Sequence, residues 1–247
     1  SIAIPLGETM ITRSVKSLDI IVKTCTSVNL VTQNKKRIFE HNKSEYTIRT
    51  IKSLINNINI NKDLFNKIKV SLTIIDHNSK KGDLELIKKI IEQSRIDYKI
   101  YNLNVDEFPQ IKILNKNNTT IEGNMRAAMA SIIKSFQVAK EISADLIYFV
   151  EDDYIHKSEC LAEMLFTYEK IASEINEELF LCPVDYPYLY KSTENTNILI
   201  GHRYHWRTIK ESLLTFMTSK KMLNKHWDLL MKMCTEEHAP FETPLHK

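Results

Sequence analysis

The chain has 247 residues, of which 34 are Lys or Arg and 31 are Asp or Glu, giving a formal net charge of +3 at pH 7. So small an excess argues against a general nucleic-acid binder, although it leaves room for a local basic site that holds phosphate. With 43% hydrophobic and 26% charged residues, the composition is that of a globular protein long enough to bury a substantial core.

Neither the cysteines nor the apolar stretches point to an extracellular or membrane-spanning protein. Cys25, Cys160, Cys182 and Cys234 are scattered without a CxxC pair, so we expect reduced thiols rather than a disulfide framework. The first residues are too short and too polar for a signal peptide, and no stretch approaches the roughly 20 apolar residues of a membrane span. We therefore predict a cytoplasmic domain without a transmembrane segment; peripheral membrane association is compatible with this.

The first third of the chain alternates between predicted strands and helices. A buried strand, LDIIVKTCTS, ends in a small polar loop, and a helical spacing of Ile, Leu and Tyr follows with Ser44 as the candidate N-cap. A second buried strand and a second helix come next. These elements cover residues 18–27, 39–58, 68–79 and 81–94.

The alternation continues after a third strand at 97–104. A long Asn-rich connection leads to Gly123, and a helix is predicted at 124–143. A fourth strand at 145–150 runs into three acids, and another helix follows at 158–175. Continuous apolar strands separated by helices predict an α/β fold with a mostly parallel central sheet flanked by helices.

The second half is less regular. Residues 178–190 are apolar and aromatic but are broken by two prolines, and residues 198–207 read as a strand or hairpin. A strand at 213–219 leads into a helix, and a further helix is predicted at 225–234. Nothing resembles a Pro-, Gly- or Ser-rich linker, so we predict a single domain over residues 1–247.

Polar residues follow three of the predicted strands where those strands end. In parallel α/β sheets, ligands bind beyond the carboxyl ends of the strands, so these side chains are expected to meet at one rim. They are Thr24, Thr26, Asp76, Glu151, Asp152 and Asp153.

Three consecutive acids at the end of a buried strand repel one another unless they face water or hold a cation. One interpretation is the solvated start of a helix, since acids favour a first helical turn, but the candidate cap, Ser158, comes later. The other is a site for Mn²⁺ or Mg²⁺, which need only one or two carboxylates and take substrate phosphates in their remaining positions. Glu151, Asp152 and Asp153 are the candidates.

The sequence YFVEDDY after a long helix resembles the acidic DXD element of nucleotide-sugar-dependent glycosyltransferases with the GT-A fold, of a family-2-like kind. Here Glu151 replaces the first acid of the triplet. The resemblance implies that Glu151 and Asp152 contact the nucleotide sugar and that Asp153, with Asp152, binds Mn²⁺ or Mg²⁺. It also implies a single GT-A-like domain, with a Rossmann-like nucleotide-sugar-binding half at about 18–153 and an acceptor-binding half at about 154–247.

Other segments share the resemblance. TIIDHNS is similar to the second strand of that family, which implies that Asp76 contacts the base. KTCTS is similar to the exit of the first strand, so Thr24 and Thr26 would line the nucleotide. GNMRAAM is similar to the helix before the acids, which places Asn124 and Arg126 near the diphosphate and the donor sugar.

For direct displacement with inversion, a general base must reach the acceptor hydroxyl. Glu211 is the first candidate and Asp185 the second; either is otherwise a surface carboxylate. The resemblance also implies a C-terminal His on the metal, here His246, with His202 and His205 as alternatives.

Basic and aromatic residues cluster in GHRYHWRTIK. The basic side chains would meet phosphate or an acidic sugar, or would simply be solvated; the rings would stack on a sugar, or belong to the core. These residues are Arg203, Arg207, Lys210, Tyr204 and Trp206.

The predicted activity is metal-dependent, inverting glycosyl transfer from a nucleotide-sugar donor to a glycan, lipid-linked or protein acceptor, without a nucleic-acid partner. Three alternatives stay open. A sugar nucleotidyltransferase usually has a Gly-rich loop after its first strand, which this chain lacks. A metal-dependent nuclease or phosphatase would need a second acid cluster. A non-catalytic carbohydrate-binding domain would have kept the fold alone.

Overall fold

The computed structural model describes residues 7, 10–27, 42–112, 119–186, 190, 193, 195–210 and 214–234, with the backbone alone described at 119–123. In chain order the elements are β1 (Ser17–Thr24), α1 (Lys43–Ile60), α2 (Lys62–Phe65), β2 (Lys69–Asp76), α3 (Lys81–Ser94), β3 (Asp97–Asn102), a 3₁₀ helix (Val105–Glu107), α4 (Thr119–Ile142), β4 (Leu146–Glu151), α5 (Cys160–Ile175), β5 (Phe180–Leu181), β6 (Ile198–Ile200), β7 (His205–Arg207), β8 (Phe216–Ser219), α6 (Lys220–Lys225) and α7 (Trp227–Lys232). Within these residues, no helix combines the length and the apolar character needed to cross a bilayer.

The central sheet has six strands in the order β3-β2-β1-β4-β8-β5. Strands β1 to β4 are mutually parallel, β8 pairs antiparallel with β4, and β5 pairs antiparallel with β8. The predicted α/β fold with a mostly parallel sheet flanked by helices is confirmed, and this arrangement is consistent with a GT-A-like domain. Because β2 and β3 lie on one side of β1 and β4 lies on the other, the strand order reverses between β1 and β4.

Helices cover both faces of the sheet because the strands are apolar on both sides. Leu18, Ile20 and Val22 of β1 belong to a core shared with α1, α3 and α5. Ile21 belongs to a second core, shared with α4, α6 and α7. This arrangement explains why the strands read as continuous apolar runs rather than as alternating ones.

Some helix boundaries differ from the predicted ones. The N-cap of α1 is Asn42 rather than Ser44, and the N-cap of α5 is Glu159 rather than Ser158. Helix α4 begins at Thr119, before the Gly123 that we interpreted as the end of a loop. A glycine inside a helix costs only about 1 kcal/mol relative to alanine, and tertiary packing outweighs so small a preference.

The predicted hairpin in the second half is also present. β6 and β7 form a separate two-stranded antiparallel sheet in which Leu199 lies opposite Trp206. Ile198 and Ile200 are 69% and 58% exposed, whereas Leu199 is half-buried. The hairpin therefore turns Leu199 toward the body of the protein and its two isoleucines outward.

Candidate functional site

The ends of β1, β2 and β4 lie side by side at the point where the strand order reverses. Thr24 is in register with Asp76 of β2, and Lys23 is in register with Glu151 of β4. The carboxyl edge at such a reversal is where ligands bind in open α/β sheets. The structure thus brings together the strand ends that the sequence singled out.

Alternation of side chains along the strands divides these residues between the two faces of the sheet. Thr24 and Asp76 are on the same face of the sheet as the core residues that pack against α1, α3 and α5. Lys23 and Glu151 lie in phase with those that face α4, and they form an ion pair with 3.0 Å between Nζ and Oε1. The rim therefore carries one cluster on each face.

The exits of β1 and β2 are joined through buried Asp76. Thr24 donates its hydroxyl to Oδ1 of Asp76 over 2.7 Å, and the amide of Ser79 donates to Oδ2 over 3.2 Å. Thr26 donates its amide to the Ser79 hydroxyl over 3.0 Å, and its own hydroxyl accepts from the amide of Lys80 over 2.9 Å. Thr24, Thr26 and Asp76 thus belong to one hydrogen-bonded group, which also includes Ser79.

Asp152 is buried and both of its carboxylate oxygens have protein partners. Lys43 pairs with Oδ1, while the Thr47 hydroxyl and the Cys25 amide donate to Oδ2 over 2.7 and 3.3 Å. Burial by itself would lower the pKa of Lys43, but the carboxylates of Asp152 and Asp153 outweigh it, so the pKa is raised. Asp152 consequently ties the end of β4 to the β1 exit and to the start of α1.

The neighbours of Asp152 in the sequence have different surroundings. The amide of Glu151 donates to the hydroxyl of Thr215 over 3.3 Å, next to Leu214, whose φ of 63° is in the left-handed region. That conformation is unfavourable for a bulky side chain and often marks a functional site. Asp153 is exposed.

The three acids do not form a metal-binding group by themselves. Within the described part of the chain, no group of three or more His, Cys, Asp or Glu side chains could hold a metal ion. Mn²⁺ and Mg²⁺ need only one or two carboxylates when substrate phosphates and water fill the other positions. Asp153 is exposed, so a cation of that kind could reach it from solvent, and both oxygens of the buried Asp152 accept hydrogen bonds.

Asn124 and Arg126 belong to α4, which connects β3 to the parallel strand β4 and so begins near the carboxyl edge of the sheet. Both side chains are half-buried. Nε of Arg126 is buried and has no hydrogen-bond partner among the described residues. A buried donor without a partner needs an explanation, and an anionic ligand supplies one.

A cavity of about 860 Å³ lies beyond the acids, bounded by α5, β5 and the hairpin. We call it the α5 cavity. It contains the second candidate base and much of the basic and aromatic cluster noted in the sequence. Those predicted residues are Asp185, Tyr204, His205, Trp206 and Arg207. Tyr154, which directly follows Asp153, also lines the cavity, so the cavity adjoins the rim.

Asp185 forms an ion pair with Arg207, with 2.9 Å between Oδ1 and the guanidinium. Burial alone would raise the pKa of Asp185, but its hydrogen bonds from Arg207 and Tyr190 lower it. A low pKa makes this carboxylate a weak proton acceptor at neutral pH. The first-choice base, Glu211, and the C-terminal metal candidate, His246, lie outside the described residues.

The remaining residues of the basic cluster are distributed around the hairpin. His202 stacks on Phe166 with 4.6 Å between ring centroids, and Arg203 and Lys210 are exposed. His202, Arg203 and Lys210 do not line the α5 cavity.

Glu163 of α5 is a buried residue that sequence reasoning missed. Its carboxylate accepts from the amides of residues 202–204 over 3.1, 2.8 and 3.2 Å, from Nε1 of Trp206 over 3.1 Å, and from the Thr167 hydroxyl over 3.0 Å. Burial would raise the pKa of Glu163, but these hydrogen bonds lower it. Glu163 therefore holds the hairpin on α5 and shapes the cavity.

Comparison with known proteins adds little. No protein-family model matches the chain, and no curated protein sequence matches it significantly. Among solved structures, the crystal structure of S. aureus TarS 1-349 is similar, with a TM-score of 0.48 and 13% sequence identity over 93% of this chain and 53% of that chain. This chain thus spans about half the length of that structure. A similarity at this level does not assign an activity.

Proposed function

We propose that the chain is a glycosyltransferase that moves a sugar from a nucleotide-sugar donor to a hydroxyl acceptor with the help of Mn²⁺ or Mg²⁺. The observation that carries the proposal is the meeting of three strand ends where the strand order reverses. Buried Asp76 and Asp152 stiffen this rim, and exposed Asp153 stands beside them. An open α/β sheet binds its ligand at such a place.

The nucleotide would lie against Asp76 and the two threonines. Asp76 already accepts from Thr24 and Ser79, and these bonds fix the direction of its carboxylate. A carboxylate has about four lone-pair positions, so capacity remains for an N–H group of a base. An acceptor fixed in advance binds with less loss of conformational freedom, which favours recognition.

The diphosphate would lie between Asp153 and the first turns of α4. Nε of Arg126, which has no hydrogen-bond partner among the described residues, and the half-buried side chain of Asn124 would supply donors for phosphate oxygens. A divalent cation at Asp153 would neutralise the negative charge of the leaving diphosphate. Asp152 fixes the end of β4 against α1. Because Asp153 directly follows Asp152, this would hold Asp153 in place and so help to orient the diphosphate.

The acceptor would approach from the α5 cavity, on the side of the rim where Tyr154 lies. We retain Glu211 as the first candidate for the base that removes the acceptor proton, with inversion at the sugar. Asp185 remains the second candidate; its ion pair with Arg207 favours a role in shaping the cavity mouth.

A thermal-shift panel tests the proposal. Nucleoside diphosphates, sugar nucleotides and nucleoside triphosphates are each added with Mn²⁺ and again with a chelator. A ligand that binds only the folded state raises the Tm by mass action. We expect a shift for one diphosphate and its sugar nucleotide that disappears with the chelator. A preference for triphosphates would favour the nucleotidyltransferase, and no shift with any nucleotide would overturn the proposal.

A further inference from the structure

The α5 cavity has walls that are mainly apolar. Met164 and Ile171 come from α5, Phe180 and Leu181 are β5, and Leu199 comes from β6. Its volume of about 860 Å³ lies within the range of about 300–1,000 Å³ that small-molecule sites occupy. The cavity is therefore large enough for a substrate and has the wall chemistry of a site for an apolar group.

Several polar side chains along the cavity already bond to other protein groups, although Nε of Arg207 is buried without a hydrogen-bond partner among the described residues. Glu163 accepts from the hairpin backbone and from Nε1 of Trp206. The Tyr154 hydroxyl is 2.8 Å from that of Tyr186, and Asp185 is paired with Arg207. Sugar hydroxyls placed deep in the cavity would compete with these bonds or go unpaired, and an unpaired buried polar group costs about 1–3 kcal/mol. An apolar chain has no such requirement.

One end of the α5 cavity lies near the proposed cation and the other end reaches solvent. Tyr154 lines one part of the cavity and is the residue after Asp153, at which we place the cation. At the other end of α5, Ile175 also lines the cavity and is 51% exposed. A chain lying along α5 would therefore bring a polar head group to the rim while its apolar part stayed between α5 and the hairpin.

We propose that the α5 cavity binds the alkyl chain of an amphipathic acceptor and that its hydroxyl-bearing head group lies at Tyr154. The acceptor role rests on the proposed function. The binding of the chain does not, because the cavity walls contain none of the strand-end residues Thr24, Asp76 or Asp153.

A chain-length series of n-alkyl β-D-glucosides tests the assignment. Methyl, hexyl and octyl glucoside, each below its critical micelle concentration, are titrated into the whole chain by calorimetry without nucleotide. Methyl glucoside should not bind. From hexyl to octyl, the affinity should rise about three- to fourfold for each buried methylene group. Equal binding of methyl and octyl glucoside would overturn the proposal.

Variants on adjacent residues of β6 locate the bound chain. Leu199→Glu places a charge in the cavity wall and should weaken octyl glucoside binding about tenfold or more, since an unpaired charge is costly there. Ile200→Glu is the matched control, because Ile200 is 58% exposed and points away. If Leu199→Glu does not fold, Ile175→Glu at the exposed edge makes the same test. Unchanged octyl binding in the cavity variant would refute the assignment.

The nucleotide panel, run on the same proteins, separates this inference from the proposed function. A retained diphosphate shift without chain-length-dependent binding would overturn only the cavity assignment. Chain-length-dependent binding without any diphosphate shift would overturn the glycosyltransferase and, with it, the acceptor role of the chain.

Discussion

The hydroxyl of Thr47, near the start of α1, donates a hydrogen bond of 2.7 Å to Oδ2 of Asp152, the residue that follows β4. Asp152 also accepts from Lys43 and from the amide of Cys25. One carboxylate thereby joins three segments at the strand-order reversal: the end of β4, to which it belongs, the exit of β1 and the start of α1. A residue in this position would affect ligand binding indirectly, by keeping these segments together. Its replacement should therefore lower the free energy of unfolding.

Replacing Asp152 with Asn should destabilise the protein by up to about 3–5 kcal/mol, because the largely covered ammonium of Lys43 would lose the carboxylate with which it pairs. Adding Lys43→Met should restore much of that loss, since no uncompensated charge then remains. Urea unfolding of the two single variants and the double variant gives the coupling free energy between the two residues.

The exposed ion pair between Glu45 and Arg49, one turn apart on the same helix, is the control. Glu45→Gln should change the free energy of unfolding by less than about 1 kcal/mol. Losses of similar size in Asp152→Asn and Glu45→Gln would mean that burial does not strengthen the Asp152 contacts.

Asp153 should behave in the opposite way. Because Asp153 is exposed, Asp153→Asn should lower the Tm of the ligand-free protein much less than Asp152→Asn does. It should nevertheless abolish the Mn²⁺-dependent rise in Tm with nucleotide and lower the rate of glycosyl transfer on the order of 100-fold, because the cation would bind more weakly. Asp97→Asn, at the start of β3 and so at the opposite edge of the sheet, is the matched control. Full transfer by Asp153→Asn would remove the metal role from this residue.

The fold and the rim were predictable because strand ends carry a local signal. Apolar runs such as 145–150 followed by polar residues mark both the strand and the edge at which it ends. The rules for connections between parallel strands reduce the possible strand orders to a few, but the sequence pattern did not choose among them. The grouping of Thr24 with Asp76 needed no more information than this.

The partners of Asp152 and the role of Glu163 were not predictable in this way. Asp152 and Asp153 are adjacent and chemically identical, yet Asp152 is buried among Lys43, Thr47 and the amide of Cys25, all more than 100 residues away in sequence, whereas Asp153 is exposed. Glu163 reads as an ordinary polar residue of α5, because the amides it accepts from belong to a turn about 40 residues later. Such long-range polar contacts leave no periodic pattern in the sequence.

Gly201→Ala should loosen the hairpin from α5. A β-carbon at this position would lie 2.4 Å from Cδ1 and Nε1 of Trp206 and 2.6 Å from the hydroxyl of Thr167. Relief of this overlap requires the indole to move away from Glu163, at a cost of about 1–3 kcal/mol. In a Trp227→Phe background, Trp206 is the remaining tryptophan, and its emission should shift to longer wavelength as it becomes solvated.

Gly82→Ala, in α3, is the control for this substitution. The added β-carbon there would have no neighbour within 4 Å outside the local backbone, and alanine favours a helix by about 0.5–1 kcal/mol over glycine. The control should therefore gain stability without altering the emission of Trp206. An unshifted emission spectrum in Gly201→Ala would show that the hairpin accommodates a methyl group without moving.

His156 should make the stability of the protein fall in mild acid. It is buried, with Nε2 2.7 Å from the Tyr148 hydroxyl and Nδ1 3.1 Å from that of Ser53. Burial lowers the pKa of His156 from 6.5 to about 4. The unfolded chain therefore binds a proton between these pH values and the folded protein does not, so stability is complete above pH 6.5 and is lost as the pH falls toward 4.

At about 1.4 kcal/mol per pH unit, this histidine alone should cost about 3 kcal/mol between pH 6.5 and pH 4. His156→Gln keeps hydrogen-bonding groups near Ser53 and Tyr148 but cannot take up a proton. The variant should be less stable than the parent at pH 7. Between pH 6.5 and pH 4, its free energy of unfolding should fall by about 3 kcal/mol less than that of the parent. Parallel stability curves for the parent and His156→Gln would mean that other groups cause the acid sensitivity.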